Sequence, residues 1–143
     1  MPEEYPTIQH RWFGEVWNKG RAEAIDEMCS PDVVAHGLVD AEGNEIRGLD
    51  AFKTFFANFR AAFPDMHVTV EDTVTEGDKV VCRCTVRATH QGDAFGLTAT
   101  GLPVVIHGTS LWHVQDGKIT HTWDRYDFLS LFQQVGAVNF LAK

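Results

Sequence analysis

The 143-residue chain carries two carboxylates three positions apart in the stretch Trp123-Asp124-Arg125-Tyr126-Asp127. Acids in such aromatic company suggest acid–base chemistry. In water an aspartate titrates at about pH 3.9 and is a weak base at neutral pH. Burial among rings such as Trp123, Tyr126 and Phe128 penalises its charged form, raises its pKa and makes it a better proton acceptor. Asp124 is the candidate base. Asp127 immediately precedes an amphipathic run, where Asp is a preferred helix N-cap, and it is read as a cap.

Other reactive residue types are scattered. Cys82 and Cys84 lie two apart in a strand-like run and share a face, and with Cys29 they read as small buried hydrophobes. No His or carboxylate spacing suggests a closed metal site. His90 opens a glycine-rich loop and is read as its support. His67, His113 and His121 read as surface residues on strands, and His10 as a helix-surface residue.

The elements that position these residues follow from periodicity. Ile8, Trp12, Val16 and Trp17 form a helical stripe over residues 7–18, with Thr7 as N-cap and Lys19-Gly20 as the stop. A second helix covers residues 21–29, followed by a short strand at 32–36. Phe52, Phe55, Phe56 and Phe59 fall on one face of a third helix, 49–62, which Pro64 ends. The period then changes from 3.6 to 2, with strands at 66–75, 79–90, 104–115 and 118–126 and turns at Glu76-Gly77-Asp78 and Asp116-Gly117. Phe128, Leu131, Phe132 and Val135 line a closing helix ending at Gly136. Helices segregated from antiparallel strands define an α+β class. A sheet curved over helices makes a cone whose interior is a pocket wherever side chains leave it open.

The bulk numbers narrow the function classes. The length favours one domain, 1–143. A net charge of −8 without a Lys/Arg cluster argues against nucleic acid or anionic membranes as partners. The first residues lack the pattern of a signal peptide, and no run approaches the roughly 20 apolar residues of a membrane span. Three cysteines, an odd count, fit reduced thiols in the cytoplasm.

Residues 89–101, THQGDAFGLTATG, together with GTSLW (108–112), QDGKI (115–119), the W-D-x-x-D stretch and LFQQVG (131–136), resemble the SnoaL-like polyketide cyclases, a family of nuclear-transport-factor-2-like α+β barrels. The resemblance implies a cone-shaped barrel, with a curved antiparallel sheet packed on three N-terminal helices and a short C-terminal helix. It also implies cofactor-free aldol-type chemistry with an Asp as general acid/base, matching Asp124. The family's His, on the preceding strand, aligns with Ser110. In this fold the strand carrying His36 contributes to the cavity, which makes His36 a second acid/base candidate. The cavity walls are expected from Phe13, Trp17, Phe55, Phe59, Phe95, Leu97, Trp112 and Tyr126, with Ser110 beside Asp124. Such a lining suits a small apolar or aromatic carbonyl ligand.

Two hairpin registers remain open. A two-residue turn places Asp124 opposite Thr109, flanked by His107 and Leu111; a three-residue turn with a bulge places it opposite Gly108, flanked by Ile106 and Ser110. The apolar even face of 104–114 favours the bulged register, with Asp124 and Ser110 inside. The functional expectation is a cofactor-independent cyclase, lyase or isomerase. The alternatives are a non-catalytic small-molecule binder, or an epoxide hydrolase or isomerase on the same fold. The resemblance also implies a homodimer through the outer sheet face, an interface that Val105, Leu111 and Trp123 would suit.

Overall fold

The computed structural model of the chain describes residues 5–94 and 96–138. The Thr7 side chain accepts a hydrogen bond from the His10 amide at 3.1 Å and starts α1 (Ile8–Arg11). This helix runs directly into a π-helical segment, Trp12–Asn18, where the Lys19 amide reaches the Gly14 carbonyl five residues back at 3.0 Å. The wider turn buries Trp12, Phe13, Val16 and Trp17 together. Such turns recur at functional sites. The second helix, α2 (Ala22–Met28), buries Ala24, Ile25 and Met28. The third, α3 (Leu49–Ala62), buries Phe52 and Phe56, with Phe55 and Phe59 half-buried beside them.

The sheet has six strands: β1 (Cys29–Val39), β2 (Glu45–Arg47), β3 (His67–Glu76), β4 (Lys79–Thr89), β5 (Pro103–Gln115) and β6 (Lys118–Tyr126). Their spatial order is β2-β1-β6-β5-β4-β3. Three features depart from the sequence expectation. The strand expected at 32–36 is the eleven-residue β1, which pairs with β6 from Cys29 onward and with β2 out to Val39 across an irregularity between Ala35 and Val39. It also folds back on β2, a short strand that alternation alone does not reveal. And the sheet is mixed, since β1 runs parallel to β6, with Ala35 beside Thr122 and His36 beside Trp123. The long connection between these strands leaves their relative direction free, which a tight hairpin would not.

The β5–β6 hairpin follows neither register expected from sequence. Its turn is the two-residue Asp116-Gly117, and Gln115 pairs with Lys118 and Val114 with Ile119. His113 then pairs with His121, leaving Thr120 as an unpaired bulge residue. The bulge shifts the rest of the strand by one, so Asp124 stands opposite Ser110 and Tyr126 opposite Gly108.

The core lies between the concave face of the sheet and the helices, and consists mainly of rings and branched aliphatic side chains. Trp17 packs against Phe52, Phe55, Phe56 and Phe59, with ring centroids 5.2–6.3 Å apart. These are the tilted and edge-on geometries aromatic rings prefer. Among the described residues, no helix is long and apolar enough to cross a membrane.

The closing helix, α4 (Phe128–Gln134), is capped by Asp127, whose carboxylate accepts from the Ser130 amide at 3.0 Å. Replacing it by Ala removes one satisfied amide at the helix start. The expected cost is about 1 kcal/mol, read as a lower urea midpoint with unchanged slope.

Candidate active site

The concave sheet face, the π-helical segment and α3 enclose a cavity of about 620 Å³ including its mouth. Phe13, Trp17, Phe55, Phe59, Trp112 and Tyr126 line it, in the positions their helical and strand periods suggest. Phe95 lies outside the described residues, and Leu97 packs against the core without lining the cavity. Trp12, Phe52, Leu38, Met66 and Ile106 also line it. The first two belong to stripes visible in the sequence. The others depend on how distant elements close the cone.

One carboxylate faces this apolar space among the described residues, that of Asp124. Its Oδ1 accepts a hydrogen bond from Ser110 Oγ at 2.7 Å, and its Oδ2 accepts one from Thr122 Oγ1 at 2.6 Å. Burial pushes its pKa up; the hydroxyls of Thr122 and Ser110, and more weakly the charges of Arg125 and His36, pull the other way. Desolvation prevails because two neutral hydroxyls replace only part of the lost hydration. Thr122 is a site residue that sequence reasoning missed, although its place two residues before Asp124 on one strand was a usable signal. Ser110 is fully buried behind the carboxylate rather than on the cavity wall.

The strand carrying Asp124 is held close to β1 by Gly37. This residue has φ of 91°, and a Cβ there would collide with the Asp124 carbonyl oxygen and the Arg125 guanidinium. Arg125 donates to that same carbonyl at 3.0 Å, so it anchors the main chain beside Asp124.

His36 does not reach the cavity. The parallel register puts it beside Trp123, and residues adjacent along a strand point to opposite faces, so His36 and Asp124 lie on opposite sides of the sheet. Its Nδ1 contacts Glu45, its Nε2 lies 3.2 Å from His121 Nδ1, and its ring stacks on His121 and Trp123. His113 completes this half-buried aromatic patch on the outer face through edge contacts with Trp123 and His121. The patch replaces the plain surface expected for His113 and His121. His107 also faces outward, exposed, near Thr85. No group of three or more His, Cys, Asp or Glu side chains able to hold a metal occurs among the described residues.

The glycine-rich loop is closed at its neck by His90. The His90 amide donates to Leu102 at 3.0 Å, its carbonyl accepts from Gly101 at 2.8 Å, and its buried ring meets Thr100 Oγ1 at 3.0 Å. The Gln91 and Gly92 amides tie the loop to the Ala62 carbonyl at the end of α3, each at 3.0 Å.

Together these features define an α+β cone holding one carboxylate in an aromatic cavity. The chain belongs to the SnoaL-like polyketide cyclase family, whose model matches residues 7–135. Aklanonic acid methyl ester cyclase AcmA of Streptomyces galilaeus is 26% identical over 137 residues, 95% of this chain and 92% of that protein. The crystal structure of IdmH from Streptomyces antibioticus, described as a candidate polyketide cyclase, superposes with a TM-score of 0.75 and 33% identity, covering 87% of this chain and 93% of that one. AclR from Streptomyces galilaeus, described as a candidate hydroxylase, superposes with a TM-score of 0.74 and 31% identity over 90% of this chain and 78% of that one. The nuclear-transport-factor-2-like fold therefore stands, and the cyclases are relatives of this chain.

The raised pKa of Asp124 has a consequence for stability. A carboxyl whose folded pKa lies above its unfolded value binds more protons when folded, so it lowers stability as pH rises from the ordinary aspartate range, about 3.9, through the raised value. Asp124→Asn removes that burden while keeping a polar side chain between the two hydroxyls. The variant is expected to melt at a higher temperature than the parent at pH 8, with the difference shrinking toward pH 4.

Proposed function

We propose that the protein is a polyketide-cyclase-like enzyme in which Asp124 is the general base and acid for cofactor-free, aldol-type chemistry on an apolar carbonyl compound. The observation that carries this reading is the environment of Asp124: a carboxylate facing an aromatic cavity, held at both oxygens and pushed up in pKa by burial. A C–H flanked by two carbonyls is acidic enough for such a base. The carboxylate removes that proton, the carbanion attacks a second carbonyl of the same molecule, and a new carbon–carbon bond closes a ring. The resulting alkoxide takes up a proton, so the base returns to its starting state. Rings on the cavity wall supply apolar contact to a flat, oxygenated substrate and exclude the water that would compete for the carbanion. Ser110 and Thr122 fix the direction in which the carboxylate presents its lone pairs.

The relatives suggest which compounds to try first. Aklanonic acid methyl ester is the compound named for AcmA, and smaller aryl β-keto esters carry the doubly flanked C–H that the proposed chemistry requires. Asp124→Asn is expected to lower turnover of any responsive compound by about 100-fold or more while leaving the fold intact by circular dichroism. Full turnover in that variant would show that Asp124 is not the base. The competing reading is a binding protein with the same cone, favoured by the absence of a charged partner for Asp124 among the cavity-lining residues described. Tight binding of an aryl β-keto ester with neither turnover nor exchange of its acidic hydrogens would decide for it.

A further inference from the structure

The carboxylate of Asp124 is held from two directions. Ser110 reaches its Oδ1 across the hairpin at 2.7 Å, and Thr122 reaches its Oδ2 along β6 at 2.6 Å. Both are the short bonds a hydroxyl makes to an ionised carboxylate. The two hydroxyls differ in where they sit. Ser110 is fully buried behind the carboxylate, off the cavity wall. Thr122 lies two residues from Asp124 on the same face of β6, and both line the cavity. Oδ1 is therefore turned into the protein, and Oδ2 lies on the cavity side. A carboxylate oxygen has two lone pairs, so Oδ2 keeps one after accepting from Thr122. Thr122 is a stiff holder. Its branched Cβ restricts χ1, and its cross-strand neighbour is Trp112, itself buried. Among the described residues no other side chain hydrogen-bonds to this carboxylate. The nearest titratable or charged groups are Arg125 and Tyr126 on β6, His36 on the outer face of β1, and Cys82 on β4. The π-helical segment, α3 and α4 turn only rings toward the cavity.

We propose that Oδ2 is the oxygen of Asp124 that takes the proton from carbon, and that Thr122 is the positioning residue that aims it. This rests on the reading of Asp124 as the base, and adds the reacting atom and the side chain that directs it. The Thr122 hydroxyl occupies one lone pair of Oδ2 and leaves the other directed at the C–H of a substrate in the cavity. The proton bonds to Oδ2, and the C–H electron pair passes to the neighbouring carbonyl oxygen. Ser110 holds Oδ1 from behind and keeps the carboxylate from turning about its Cβ–Cγ bond. Both hydroxyls also favour the ionised form, Thr122 more than Ser110. Removing the Thr122 hydroxyl therefore has two effects. The acid keeps its proton to higher pH, and Oδ2 swings away from the substrate.

The test follows exchange of the acidic hydrogens of methyl 3-(2-naphthyl)-3-oxopropanoate in deuterium oxide by proton NMR, across pH, with the protein-free rate subtracted. The proteins are the parent, Asp124→Asn, Thr122→Val, Thr122→Ser and Ser110→Ala. Valine keeps the shape of threonine without its hydroxyl, and serine keeps the hydroxyl. Melting curves check that each variant is folded, and Thr122→Ala stands in for Thr122→Val if the valine variant fails to fold. In the parent, kcat/KM rises with pH to a plateau as Asp124 ionises. Thr122→Val is expected to move that rise to higher pH and to lower kcat on the plateau about tenfold, with KM within about twofold of the parent. Ser110→Ala is expected to move the rise less and lower the plateau less. Thr122→Ser is expected to restore the parent profile. Four results count against the proposal. If Asp124→Asn abolishes exchange while Thr122→Val keeps the parent profile and plateau, the base assignment stands and Thr122 does not aim it. If Ser110→Ala lowers the plateau more than Thr122→Val, the reacting oxygen is Oδ1. If Thr122→Ser is as slow as Thr122→Val, the methyl group matters and the hydroxyl does not. If the parent leaves the probe unexchanged, or Asp124→Asn exchanges it as fast as the parent, the base assignment falls and takes the role of Thr122 with it.

Discussion

The bulge at Thr120 governs the face of every β6 residue that follows it. Before it, Lys118 points outward with Gln115 and Ile119 inward with Val114; after it, Trp112 pairs with Thr122, Ser110 with Asp124 and Gly108 with Tyr126. Continued without the bulge, the two-residue turn would place Asp124 opposite Thr109, on the exposed face that carries His107 and Leu111. With the bulge, the carboxylate enters the cavity, and Trp123 and His121 go to the outer face to meet His36 and His113. Because side chains alternate along a strand, one unpaired residue exchanges the two sets completely.

Other features accommodate what this register brings inside. Gly37 lets β1 approach the Asp124 carbonyl, and Gly108 leaves room for the Tyr126 ring. Ser110 and Thr122 reach the two oxygens of a carboxylate that loses part of its hydration to the surrounding rings. Two hydroxyl hydrogen bonds do not offset the burial of a full charge, so the carboxyl remains raised in pKa. The same imbalance that lowers stability at neutral pH makes the group a stronger base. It is the kind of local conflict that folds concentrate at functional sites.

The walls work differently. They comprise aromatic side chains from the π-helical segment and α3 and inward-facing residues of the strands, packed edge-on and tilted around a space they do not fill. Phe55 stacks on Phe59, and Trp17 meets both rings edge-on along the cavity wall. An apolar shell limits the water around Asp124, and so the desolvation of the acid and the shape of the cavity have one origin. The polar atoms are few and clustered, with Thr122, Asp124 and Tyr126 all on one strand.

Much of this was legible along the chain. The helical stripe of Trp12, Val16 and Trp17, the Phe ladder of 52–59, the change of period after Pro64 and the cap at Asp127 are local patterns, and local patterns are carried by residues near one another in sequence. So were the identity of Asp124 as the unusual acid and six of its ring neighbours, since residue type and strand or helix period suffice to nominate them. The second strand of the β1 hairpin, the parallel pairing of β1 with β6 and the outward turn of His36 were not legible, because they depend on which distant strand lies alongside. Nor was Asp124's true partner across the hairpin, because the bulge that sets it shows no signal at Thr120. By itself the sequence determined the helical stripes and the four long strands after Pro64, and it nominated Asp124 as a candidate base. The apolar even face of β5 already pointed Asp124 and Ser110 inward; only the tertiary structure decided that Asp124 stands directly opposite Ser110 and that Thr122 shares in holding it, because the pairing is set by a bulge, and a shift of one residue there changes every partner.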